Sequence, residues 1–134
     1  MKYQSPESDL PPDDVLAALA VGDPNAGVAL IALALTYPDP DATLACIAVA
    51  LSSPALPLRA QGLTALAHTV RLHRRVDAET LRLLRALPRG SSADDDLWTF
   101  VAWRRLPWWL WRYQLPRHLW WSIRNRMPYR RTSA

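Results

Sequence analysis

A chain of 134 residues is about the size of one domain, enough for one modest core and not for two. Its net charge of +4 conceals two halves of opposite sign: residues 1–53 carry one lysine and seven acids, and residues 54–134 carry fifteen arginines and five acids. That separation admits an anionic partner or self-association in trans, while a single cysteine excludes an intramolecular disulfide.

The chain opens MKYQSPESDLPPDD, which lacks the basic start and apolar run of a secretory signal. The longest apolar segments, residues 26–35 and 42–51, reach half of the ~20 residues a spanning helix needs. A cytoplasmic protein is expected, with the membrane surface as the alternative location. Cys46 lies in the apolar run LACIAVAL and fits a reducing compartment.

Residues 1–12, with three prolines, read as a flexible lead-in. Asp13 or Asp14 then caps a short helix through Val15, Leu16 and Leu19, which Gly22 stops. Asp23-Pro24 restarts the pattern, because aspartate accepts from free amides and proline lacks the N–H that would go unpaired. The helix that follows, residues 25–36, is apolar around most of its circumference and is expected to be buried on several sides. Asp39-Pro40 repeats the start signal and opens a helix over 41–51, with Leu44, Ile47, Ala48 and Leu51 on one face. Pro57 begins the next, to about residue 74, with Leu63, Leu66, Ala67 and Val70 inward and Gln61, Thr64, His68 and Arg71 outward. Asp77 caps a further helix through Leu81, Leu84 and Leu87. Alanine-rich runs with few β-branched residues argue against strands. The fold class is all-α: short antiparallel helix pairs stacked as a small solenoid, followed by a Trp/Arg-rich extension.

Ser53-Pro54, Leu58-Arg59 and the run from Gly62 to His68 resemble a HEAT-type repeat: a proline turn leads into a helix with an apolar residue, an arginine, then an alanine- and leucine-rich stripe. The segment TYPDPDATLACIAVALSSPALPLRAQGLTALAHTVRLHRRVD is also similar to a group of small bacterial HEAT-like proteins. The resemblance covers residues 13–88; Ala55 stands where an aspartate is usual, and Ala67 where glycine is common. It implies a scaffold that binds other proteins, with no shared catalytic residues and no cofactor. The domain reading is a lead-in (1–12), a HEAT-like array (13–88), a linker (89–96) and the extension (97–134).

No constellation points to catalysis. His68 and His73 are five apart, about 140° round a helix, so a shared metal is not expected. Cys46, among alanines and valines, reads as packed and inert. Asp94, Asp95 and Asp96 suit the positive end of a new helix. Arg59, His68 and Arg71 form the candidate partner-binding surface on the array.

Residues 97–134 hold all seven tryptophans and eight of the fifteen arginines, and no acid. A helix over 94–106 is expected, then two short ones over 108–114 and 117–127, each opened by Leu-Pro. The second carries Leu119, Ile123 and Met127 on one stripe. Seven tryptophans represent about 1,000–1,700 Å² of surface, worth some 25–40 kcal/mol if buried, before entropy. A monomer rarely leaves so much uncovered. Four covers compete: folding back on the array, an anionic membrane surface, stacking on single-stranded nucleic acid, or no selected cover, if the tail is a frameshifted extension of GC-rich coding. Trp108, Trp109, Trp111, Arg112, Trp120 and Trp121 are the candidate contact residues for a membrane or partner. The expected function is a non-catalytic protein–protein interaction module, such as a scaffold, adaptor or immunity-type binder. Peripheral membrane binding is the alternative.

Overall fold

Helix boundaries fall where the backbone loses a donor or turns left-handed. The computed structural model describes residues 10–126, and among these it holds seven α-helices, one 3-10 turn and no strand. α1 (Pro12–Val21) ends at Gly22, whose φ of 72° lets its amide reach back to the last carbonyls. α2 (Ala26–Thr36) follows a turn in which Asp23 accepts from the Asn25 amide. Asp39 caps α3 (Pro40–Leu51) by accepting from the Asp41 amide. α4 (Leu56–His73) begins at Leu56-Pro57, and α5 (Ala78–Arg85) is capped by Asp77, which accepts from Thr80. Ser91 caps α6 (Ser92–Phe100), and α7 (Trp108–Arg126) is the longest helix.

The helices stack in two layers. Principal packings join α1 to α3, α3 to α5, α2 to α4 and α4 to α6, with α1–α2, α2–α3 and α3–α4 as the cross-layer pairs. This is how short amphipathic helices bury their stripes against the next pair along a stack. α4 lies at the centre and is covered by α2, α3 and α6. That is why its buried residues include Gly62, Ala65, Thr69 and Val70 as well as Leu66 and Ala67. Of the outward-facing set expected on α4, Gln61, Thr64 and His68 are half-buried for the same reason. A Cβ at Gly62 would stand 3.0 Å from the Ala50 Cβ, so this glycine sets how closely α3 and α4 approach.

Several expectations are corrected. α1 starts one residue before Asp13, with Pro11 at the cap and no side-chain cap; Asp13 and Asp14 lie in the first turn. α2 is not covered all round: Val28 and Leu35 are exposed. The helix expected over 94–106 stops at Phe100, because Val101 is extended (φ −97°, ψ 140°) and a 3-10 turn, Trp103–Arg105, follows. This break turns Trp103 back so that its indole N–H donates to the Trp98 carbonyl at 2.8 Å. Beyond Pro107 there is one helix, not two, because α7 runs through Pro116. The proline forfeits one backbone bond, yet α7 continues for ten residues beyond it. Residues 1–9, most of the expected lead-in, and Met127 of the expected stripe lie outside the described residues.

Residues 89–96, read as a linker, instead hold a buried polar knot, and residues 92–96 belong to α6. Asp94 is fully buried and accepts from the Gly90 amide (2.9 Å) and from Arg89 (3.3 Å). Arg89 also donates to the Leu84 and Leu87 carbonyls at the end of α5. Its guanidinium lies 4.3 Å from the Trp109 ring centroid. Burial pushes the Asp94 carboxyl up and the Arg89 guanidinium down, each opposed by the other's charge. Each charge thus offsets part of the other's burial, with the Gly90 amide adding to the support of Asp94. Arg89→Met should lower unfolding free energy by about 3–5 kcal/mol by leaving Asp94 uncompensated. Adding Asp94→Leu should restore part of that loss. Urea unfolding followed by circular dichroism measures both, and additive losses would contradict the coupling.

Candidate functional site

The residues expected to bind a partner on the array do not form one surface. His68 Nδ1 and Arg71 Nη2 are 2.7 Å apart on α4, and Asp96 of α6 is close enough for its charge to act on both. Arg59 lies nine residues before His68, about 180° round the helix and ~13 Å along it. His68 and Arg71 are thus brought together, with Asp96 added, and Arg59 is placed apart. Burial draws the His68 pKa below 6.5, with Arg71 adding to the effect and Asp96 opposing it. His73 is the last residue of α4. Cys46 is buried; desolvation raises its thiol pKa and the Asp13 charge raises it further.

In the tail the tryptophans divide by depth. Trp98, on α6, is almost fully buried and is the centre of an aromatic cluster. Trp103 stacks on it with centroids 4.5 Å apart, Trp111 meets it edge-on at 5.1 Å, and His118 stacks at 5.6 Å. The indole of Trp111 donates to the Trp103 carbonyl at 2.8 Å, so two of the cluster's indole donors are used in closing the turn between α6 and α7. Trp109 is half-buried under Arg89, while Arg85 lies 5.5 Å from the ring of the exposed Trp108. Gln114, fully buried, donates to Asp95 at 3.3 Å, and Arg117 lies 3.8 Å from the same carboxylate. These contacts fasten the first half of α7 to α6.

The second half of α7 has no such cover. From Leu119 to Asn125 every residue is exposed, including Trp120 (66%) and Trp121 (60%). Leu119 and Ile123, four apart, share a face with Trp120 beside them, and Arg124 is one position further. A groove of about 500 Å³ between α6 and this segment is lined by Asp95, Arg117, His118, Trp120 and Trp121. Of the six candidate contact residues, Trp109 and Trp111 are committed to the fold, whereas Trp108, Arg112, Trp120 and Trp121 face solvent. Leu119 and Ile123 belong with the exposed set; the four-residue spacing marked their stripe but not its exposure. Among the described residues, no helix is long and apolar enough to cross a membrane. The chain matches no protein-family profile, no curated protein and no solved structure.

The His68 environment carries a pH dependence. Its lowered pKa means that the unfolded chain takes the proton first as pH falls through about 6.5. Stability from this residue is therefore present above that pH and lost below it. Asp96, pushed up by burial, acts with the opposite sign at more acidic pH. Urea midpoints at about pH 7.5 and about pH 5.5 should favour the higher pH, and His68→Gln should shrink the difference. Cys46 should react with a thiol reagent only at the rate of unfolding; fast labelling in native buffer would contradict its burial.

Proposed function

We propose that the chain is a non-catalytic protein–protein interaction module in which the distal half of α7 is the docking element. One observation carries this reading. Leu119, Trp120, Trp121 and Ile123 are all exposed on a helix whose first half is fastened down. Large aromatic side chains held by a rigid element are what binding hot spots are made of. Leaving them in water forfeits the ~25 cal/mol per Å² that a cover would return. The two-layer stack of α1–α6 serves in this reading as a HEAT-like scaffold that holds the docking helix. The pair His68–Arg71, with Asp96, is a secondary polar contact on the same scaffold.

A second reading, peripheral contact with an anionic bilayer, is favoured by one further feature. Residues 97–126 contain six arginines and no acid, so the exposed tryptophans sit among arginines, with Asp95 of α6 at the edge of their groove. Tryptophan and arginine together suit the headgroup region.

Affinity capture with the full chain, beside a Leu119→Gln/Trp120→Gln variant, separates the two. Recovery of a protein from source-cell lysate by the intact chain, lost with the variant, supports the interaction module. Absence of any captured protein from both overturns it. A blue shift of tryptophan emission on anionic vesicles at low salt, absent from the variant, would favour the bilayer instead.

A further inference from the structure

α2 has an uncovered face that sequence patterning had assigned to the interior. Its sequence, AGVALIALALT, has no charged residue, and threonine at its end is the only polar side chain. Contacts with α1, α3 and α4 bury Ala26, Ala29, Leu30, Leu33 and Ala34 on one side. On the other, Val28, Ile31, Ala32 and Leu35 follow the spacing of one helical stripe; Val28 is 52% and Leu35 47% exposed, and Ile31 and Ala32 are half-buried between them, with Ile31 packed on the core. Solvated helix faces are ordinarily polar, so this one lacks its expected composition.

The segments that precede and follow α2 in sequence carry charge of one sign. Residues 10–58 contain five aspartates and no lysine or arginine. Asp23 precedes α2, Asp39 follows it, and both are exposed. The distal half of α7 is the converse: apolar side chains with arginines and no acid. The two surfaces belong to opposite ends of the stack, since α7 packs on α6 whereas α2 packs on α1, α3 and α4. Within one chain α7 is thus held away from α2; between two chains nothing holds it away.

We propose that the α2 stripe is the docking site for the distal half of α7 of a second copy of this chain, giving a head-to-tail association. This rests on α7 being the docking element described above, and it names the partner. Leu119, Trp120 and Ile123 of one copy lie against Val28, Ile31 and Leu35 of the next. The tail's arginines face the aspartates that flank α2. Because each copy offers one of each surface, the contact is heterologous, and it extends into open chains unless the rotation between copies closes a ring.

Purified full-length protein tests this without any other component. Average mass, measured by sedimentation velocity or by light scattering after gel filtration, should rise with concentration and fall as salt is added. Val28→Gln/Leu35→Gln removes the receiving face, and Leu119→Gln/Trp120→Gln removes the inserting one. All four positions are exposed, and circular dichroism checks that both variants fold. Each variant alone should be monomeric, with association weakened roughly tenfold or more. Mixed together they should form a dimer and nothing larger, because one intact face of each kind remains. Association of either variant by itself, as in a symmetric α2–α2 dimer, overturns the proposal, and so does a mixture that stays monomeric. A wild-type chain that is monomeric at low salt also overturns it. In that case a lysate protein captured through α7 would leave the interaction reading standing with a different partner, whereas binding to vesicles alone would remove both.

Discussion

The union of Arg89 with Asp94 is the constraint on which the C-terminal third depends. α5 ends at Arg85 and α6 begins at Ser92, and the intervening loop is tied to both helices through this pair. Arg89 donates to the Leu84 carbonyl of α5 and the Leu87 carbonyl of the loop, Asp94 accepts from Arg89 and from the loop's own amide, and the Trp109 ring lies against the guanidinium. One ion pair thus sets the end of α5, the start of α6 and the approach of α7. Such a pair adds little net stability compared with an apolar substitute. Its value lies in geometry, since a buried charge tolerates only arrangements that satisfy it.

From that junction the aromatic residues take on separate duties. Trp98, Trp103 and Trp111 close the corner between α6 and α7, with two indole donors spent on backbone carbonyls. Trp109 covers the ion pair. Trp120 and Trp121 are exposed and take no part in that closure. The tail is therefore partly the structural closure of the stack and partly a presented surface, and the boundary between them falls near His118.

The array was legible because its signals are local. Asp39-Pro40 and Asp77 announce helix starts through capping chemistry that needs no tertiary partner, and Gly22 announces a stop through its backbone freedom. Where tertiary contacts compete, the sequence misleads. Residues 94–106 carry good helix signals, but stacking of Trp103 on Trp98 outweighs continuation past Phe100. Pro116 looks like a start and is an interior residue. The stripe on α2 is invisible to periodicity because both of its sides are apolar; only the packing of α1, α3 and α4 shows which is left over. The knot of Arg89 and Asp94 joins residues five apart in sequence, yet nothing in the pattern separates it from ordinary loop charge. For the candidate surface on α4, helical phase alone could have set Arg59 apart from His68.

Charge segregation along the stack has a kinetic consequence. Acids alone are found over residues 10–58 and arginines without acids over residues 97–126, so α1–α3 and α7 carry opposite net charge. Charge separated in this way turns a protein in the field of an approaching charged surface before contact, favouring encounters that present the complementary side. In the proposed docking role, the long-range field selects orientation, while the exposed Trp120 and its neighbours set how long an encounter lasts.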